Sequence, residues 1–216
     1  MDAVTDNLDL FLSGYWTSLK ICLVGLLGSL VLGTIIAGFR VSPVAPLRWI
    51  GTTWVNMIRN APLTVVLFFF AFGLPEIGIK VSYWVFGVSA LIIYTSAFVC
   101  EALRAGINSV SRGQAEAARA IGLPFTSSLR EVVLPQAFRT SIPPLGSVLI
   151  AMFKNSAVLG AFGVGGDLFS VSDTLTSAQG YPATPVLLGV AVGYLMITLP
   201  AAALLALLER RTVILR

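Results

Sequence analysis

The chain contains no histidine. Ser-His nucleophilic triads, HExxH zinc sites and haem ligation through imidazole are therefore excluded together. No GxxxxGK[ST] run is present, so no phosphate loop of that kind can hold ATP. Cysteine occurs only as Cys22 and Cys100, without CxxC spacing, and both read as small apolar packing residues. Charge is also scarce. Charged residues make up 11% of the 216 residues, against about 25% in a soluble domain. No internal repeat is visible, which disfavours carriers built from inverted repeats.

Hydrophobic residues make up 56% of the chain, and the mean hydropathy is +0.90. They fall in long runs free of Asp, Glu, Lys and Arg: Ile21 to Phe39, Ala61 to Pro75, Val81 to Cys100, Thr140 to Phe153, Asn155 to Gly166, and Thr174 to Leu208. A helix needs roughly 20 apolar residues to cross the hydrocarbon core. The runs predict an all-α integral membrane protein with five transmembrane helices, at about residues 19–39, 52–73, 82–100, 140–163 and 185–208. No other block is long enough to fold alone, so residues 1–216 read as one membrane domain.

Lys and Arg set the orientation. Arg40 and Arg48 lie between spans 1 and 2. Arg104, Arg112, Arg119, Arg130 and Arg139 lie between spans 3 and 4, and Arg210, Arg211 and Arg216 follow span 5. The opposite side carries Glu76, Lys80, Asp167, Asp173 and the aspartates of the N-terminal segment. The expectation is an N-terminus outside and a C-terminus in the cytoplasm of a multi-pass cell-membrane protein. The first nineteen residues, acidic and without Lys or Arg, read as a polar or interfacial lead-in rather than a signal peptide. The net charge of +4 follows from this topology and gives no sign of a nucleic-acid surface.

The spans are expected to contain no Asp or Glu, Glu101 at the inner end of span 3 being the nearest. Proton-coupled carriers use such carboxylates as relays, so that class is disfavoured. Two polar clusters do fall within the spans. Lys154, Asn155 and Ser156 lie roughly 20 Å into span 4, within a core about 30 Å thick. A lipid-facing lysine there costs on the order of 3 kcal/mol. Gly160, Gly163, Gly165 and Gly166 follow and suggest a helix broken against protein or a cavity. Either the cluster lines a pathway, or Lys154 snorkels outward. Arg59, Asn60 and Thr64 form the second cluster, beside a kink expected at Pro62. They either line the same pathway or leave Arg59 paired at the inner surface. Two cations without an embedded carboxylate suit a substrate that carries a carboxylate.

Small residues at Ser29, Gly33 and Ala37, and at Gly189 and Gly193, suit close helix packing or a subunit interface. Trp49, Trp54, Tyr83 and Trp84 read as an aromatic belt. Pro182, Pro185 and Pro200 are expected to bound or bend span 5.

The charged stretch SRGQAEAARAIGLPFTSSLREVVLPQAFR, Ser111 to Arg139, interrupts this pattern. Ser111 and Gln114 have capping-box spacing. Arg112, Glu116 and Arg119 form one charged stripe. Gly122 is placed to end the helix in a left-handed conformation. Pro124 can open a second short helix, which is expected to stop before Pro135. The reading is two short helices joined by a glycine turn at the cytoplasmic surface.

The row EAARAIGLPFTSSLREVVLP resembles the EAA-x3-G-x9-I-x-L-P signature of ABC importer membrane subunits, with Val132 in the isoleucine place. RNAPLTVVLFFFAFGLP is similar to the RGTPLLVQL segment of polar amino-acid permeases, with Asn60 and Ala61 in place of Gly and Thr. YTSAFVCEALRAGI and PPLGSVLIAMFKNSAVLGAFGVG resemble that family's third and fourth spans. Pro124 departs from the family, many members of which have Ser or Thr there. The likeness covers nearly the whole chain and looks closest to glutamate-type permeases of actinobacteria.

The resemblance implies a type I ABC importer permease fold and a non-enzymatic subunit without its own cofactor. ATP and Mg would sit on two partner ATP-binding cassette subunits. The further partners implied are an extracytoplasmic substrate-binding protein, a second permease subunit in a heterodimer, and membrane lipid. The loop at 111–136 would couple to the ATPase, with Glu116 near the docking contact, Ala117 and Ala118 allowing close approach, Gly122 forming the turn, and Leu134 and Pro135 closing the signature. The expected cargo is a polar amino acid, glutamate first, with glutamine, arginine or histidine as alternatives. An ion-coupled carrier and a non-transporting scaffold are the rival classes.

Overall fold

A computed structural model describes residues 2–163 and 166–212. Gly165 and Arg216 lie outside them. The described residues form helices and turns and contain no strand. In chain order the helices are α1 (Asp2–Thr5), α2 (Leu8–Val41), α3 (Ala45–Asn60), α4 (Leu63–Phe68), α5 (Leu74–Glu76), α6 (Tyr83–Ser109), α7 (Arg112–Ala120), α8 (Phe125–Ser127), α9 (Leu134–Asn155), α10 (Ala157–Ala161), α11 (Leu168–Asp173) and α12 (Ala183–Thr212). Wide π-helical turns at Phe69–Gly73 and Ser128–Val133 join α4 to α5 and α8 to α9, and a third at Thr174–Ala178 extends α11.

Among the described residues, four helical stretches are long and apolar enough to cross a membrane: Leu8–Val41, Tyr83–Ser109, Phe125–Ala161 and Ala183–Arg211. A fifth crossing requires α3 and the Leu63–Glu76 stretch together, and these meet at a bend of 103°. The expected kink at Pro62 is thus a full break. Pro62 has no N–H to continue the ladder and forces the preceding residue out of the helical region. Ala61 duly sits at φ −89°, ψ 137°.

The remaining boundaries differ in instructive ways. The first long helix begins at Leu8 rather than near 19, so Lys20 lies inside it and the N-terminal segment is helical, with Ala3 and Phe11 buried. The second surface helix does not stop before Pro135. The chain stays helical from Phe125 to Ala161. The wide turn at Ser128–Val133 loosens the backbone just where the proline ring would otherwise press on the carbonyl four residues back. Ser111 does precede α7, but its side chain makes no capping bond. Gln114 N donates to the Ser111 carbonyl instead.

The centre of the bundle is α2 packed on α6 and α6 packed on α9, with α12 closing against α9. Small residues set these distances. A Cβ on Gly33 would lie 2.6 Å from Val99 Cβ and 2.9 Å from the Ser96 carbonyl oxygen. One on Gly106 would lie 2.6 Å from the Ala137 carbonyl and overlap the Ser141 hydroxyl. Gly189 and Gly193 pack inside the chain, against Val4 and Phe11 and against Leu168. Ile21, Leu67, Leu91, Met152, Leu159 and Leu168 fill the main core. Leu27, Val31, Leu188 and Leu199 point outward, as a lipid-facing surface requires. Of the expected aromatic belt, Trp49 and Tyr83 are exposed. Trp54 instead donates to Ser96 Oγ at 3.3 Å, and Trp84 packs on the core.

Candidate functional site

Between α6 and α9 lies an open cavity of about 350 Å³, lined by Tyr94, Thr95, Phe98, Ser147, Val148, Ala151, Met152 and Asn155. The residues recur at helical spacing. On α6, Tyr94 and Phe98 are four apart, and their tilted rings touch with centroids 5.1 Å apart. On α9, Ser147, Ala151 and Asn155 fall on one line. The lining pairs apolar walls with a few polar groups and contains no carboxylate, the usual make-up of a small-molecule site. A larger groove of about 810 Å³ runs between α1, the start of α2 and the start of α12, past Leu8, Phe11, Trp16, Leu188 and Met196. It is almost entirely apolar and suits hydrocarbon, not a polar solute.

Lys154, Asn155 and Ser156 face three directions, because a helix turns about 100° per residue. Asn155 lines the cavity. Lys154 is exposed on the bundle surface. Ser156 is buried, donates to the Phe153 carbonyl at 2.7 Å and lies 3.6 Å from Cys22 Sγ.

Arg59, Asn60 and Thr64 do not line the cavity. Arg59 stands behind its aromatic wall, 5.7 Å from the centre of the Phe98 ring. It also lies 3.8 Å from Glu101 Oε1. Asn60 is exposed and donates to the Asn56 carbonyl at 2.7 Å, and Thr64 is exposed on α4. Glu101 gathers two more guanidinium groups. Arg40 pairs with its Oε1, and Arg104 donates to Oε2 at 2.9 Å. Three arginines around one carboxylate tie the ends of α2, α3 and α6 together and leave excess positive charge beside the Phe98 end of the cavity.

The EAA segment forms α7 and its turn. Gly122 has φ +89°, with Gly122 N donating to Arg119 O at 3.0 Å and Leu123 N to Ala118 O at 3.1 Å. This is the paired bonding of a Schellman cap. Ala118 is buried, whereas Glu116, Ala117, Leu134 and Pro135 are exposed. Two apolar side chains beside them also face outward, Ile121 at 80% exposure and Phe125 at 73%. Sequence reasoning set Ile121 in a small stripe with Gln114 and Ala118 and passed over Phe125, although large apolar residues in an otherwise charged surface segment signal a partner. It also passed over the cavity residues Tyr94, Thr95, Phe98 and Ser147, whose four-residue spacing was the available signal.

An all-helical bundle whose long apolar helices can cross a membrane, with a cavity between two of them, is the architecture of an integral membrane protein. The family of binding-protein-dependent transport system inner membrane components matches residues 29–214, and the chain belongs to it. It is the transmembrane permease component of an ABC importer, a membrane protein that is not itself catalytic. Membership implies partner ATPase and substrate-binding components.

Among its relatives is the probable glutamine ABC transporter permease protein GlnM of Bacillus subtilis, 41% identical over 95% of this chain and 94% of that one. The glutamate transport system permease protein GluC of Corynebacterium efficiens is 39% identical over 88% of each. The fold is that of a crystallised amino acid ABC transporter, with a TM-score of 0.90, 34% identity and 96% of each chain covered. An inward facing MetNI methionine ABC transporter shares the fold, with a TM-score of 0.76, 22% identity, and 96% of this chain and 98% of that one covered.

Proposed function

We propose that this permease imports a polar amino acid, glutamate first, through the cavity between α6 and α9. The observation that carries the reading is the make-up of that cavity. Asn155, Thr95 and Ser147 offer hydrogen bonds, no carboxylate lines it, and Arg59 reinforces the wall at Phe98. Excess guanidinium charge near a low-dielectric wall favours an anionic solute, because fields are screened less there than in water. Permeases of glutamate systems among its relatives support the same choice. A relative at 41% identity that is a probable glutamine permease favours a second reading, with glutamine as cargo.

In this reading the arginine-rich ends of α2, α6 and α12 face the cytoplasm, and α1 faces outside. Two ATP-binding cassette subunits dock on α7, with Glu116 and Ala117 at the contact, Ala118 and Gly122 holding its shape, and Leu134 and Pro135 beginning the helix that leads to the cavity. A well-capped α7 moves as a rigid body, and the unbroken helical path from Phe125 to Ala161 carries that movement to Asn155. A related permease chain completes the pathway as a heterodimer. Lys154, exposed on this subunit, would then serve the pathway from the face toward that partner. A substrate-binding protein delivers cargo to the outer side.

The test is uptake of labelled glutamate, glutamine, arginine and a sugar in cells lacking the gene and in complemented cells. Loss and recovery of glutamate uptake alone supports the reading. Recovery of glutamine uptake in its place selects the second. Uptake that persists under ATP depletion with an ion gradient held would overturn both.

A further inference from the structure

The charge count across the loops assigns Asp167 to the outer surface, but its exposure is 1%. Both carboxylate oxygens are engaged. Oδ1 accepts from Ser170 N at 3.2 Å and Ser170 Oγ at 2.9 Å, and Oδ2 accepts from the Tyr194 hydroxyl at 2.6 Å. Glu101, at the opposite end of the bundle, is held instead by three guanidinium groups. Among the described residues, the donors on Asp167 are two hydroxyls and one backbone amide.

Four helices meet at this carboxylate. Tyr194 belongs to α12. On α2, Ser18 Oγ accepts from Leu168 N at 3.0 Å, and Gly14 lets Leu168 and Val171 approach its backbone. On α10, Gly160 packs so tightly that a Cβ there would overlap the Asp167 carboxylate. Ser156, at the joint between α9 and α10, reaches Cys22 of α2. Burying a carboxylate without a cation is unfavourable unless its bonds are complete, and an apolar residue would fill this junction more simply.

The position explains the placement. Ser156 directly follows Asn155, the last residue lining the cavity. Beyond it, α10 and α11 pack against each other, and Phe162 meets Phe68 edge-on with ring centroids 4.5 Å apart. Phe68 stacks in turn on Phe72. An aromatic contact thus links the α10 side to the broken second span past the Asn155 end of the cavity. Asp167 and Tyr194 fix the α10 side of that contact.

We propose that Asp167 is a positioning residue for transport: with Tyr194 it seats α10 and α11 so that Phe162 closes on Phe68 beyond the cavity, and loosening this bond eases opening of that end. The inference rests on the importer assignment and is independent of the cargo.

The experiment uses the complex with its ATPase subunits in lipid nanodiscs. Tyr194→Phe removes one hydroxyl and keeps the ring, and Asp167→Asn keeps the size and removes the charge. ATP hydrolysis is measured without the substrate-binding protein. In parallel, Phe68→Cys with Phe162→Cys is joined by a short bifunctional thiol cross-linker, the two native cysteines being buried. The expected result is hydrolysis without binding protein raised about tenfold in Tyr194→Phe, the scale of one lost bond to a charged group. The 68–162 cross-link should also form less readily in that background. Unchanged hydrolysis per assembled complex and unchanged cross-linking would overturn the proposal, even if both variants lowered complex yield, because a purely structural role moves yield alone. The readouts involve no cargo, so a wrong choice of amino acid leaves them intact.

Discussion

Asn155 is the one member of its polar triplet that reaches the cavity, which makes it the direct probe of the pathway. Replacing it with Ala removes a hydrogen-bonding group worth roughly 1 kcal/mol. The maximal uptake rate in reconstituted complexes is expected to fall about fivefold to tenfold, with the half-saturating concentration held by the substrate-binding protein. Glycine contacts give a second test. Gly106→Ala would drive a methyl into Ser141 and the Ala137 carbonyl, and overpacking of that kind costs about 1–3 kcal/mol. A lowered melting temperature of the purified complex is expected, whereas Gly38→Ala, with nothing within 4 Å of the added methyl, should not lower it, since Ala is the better helix former. At this scale the sequence was partly legible. The pattern of Ser29, Gly33 and Ala37 announced a buried stripe, because size alone decides how near two helices come. Asp167 was illegible, because a loop charge and a buried charge look alike until Tyr194, 27 residues away, is brought beside it.

The EAA helix carries the element-scale tests. Gly122→Asp places a side chain where φ is +89°, a conformation that strains non-glycine residues by about 1–2 kcal/mol. It should distort the turn without removing the protein from the membrane. Gly122→Asp and Glu116→Lys, each alone, are expected to abolish uptake while ATP hydrolysis continues, as measured in proteoliposomes. Full uptake in either variant would remove the coupling role. Ile121→Asp and Phe125→Asp should weaken capture of the ATPase subunit on affinity resin by about tenfold or more, as loss of an exposed apolar anchor does. The turn itself was readable, since Gly122 followed by Pro124 leaves the backbone few options. The continuation through Pro135 was not, because a wide turn has no residue signature of its own. The 103° break at Pro62 was readable in place but not in size. Proline removes a bond, and neighbouring helices decide how far the chain then swings.

For the whole molecule, the all-helical class followed from hydropathy, because lipid leaves a spanning chain almost no alternative to the helix; the count of five holds only if the pair bent by 103° at Pro62 is one span. Orientation is testable directly. Single cysteines at Lys80 and Gly113, both exposed, should react with a membrane-impermeant maleimide from opposite faces of sealed vesicles, Gly113 from the cytoplasmic face. Labelling of both from one face would reverse or break the topology. What composition could not give was the partition of polar groups within the bundle: an arginine cluster around Glu101 at one end and a hydroxyl-held Asp167 at the other.

The wide turn at Ser128–Val133 fixes a phase. It holds one more residue than an ordinary helical turn would, and each residue rotates the downstream helix by about 100°. Phe125, part of the proposed docking face, and the cavity residues sit on either side of it along the Phe125–Ala161 stretch. Deleting a single residue there would tighten the turn and swing Ser147, Ala151 and Asn155 off the cavity while the docking face stayed put. The angular offset between the end that is pushed and the end that meets cargo is thus written in one residue's worth of backbone.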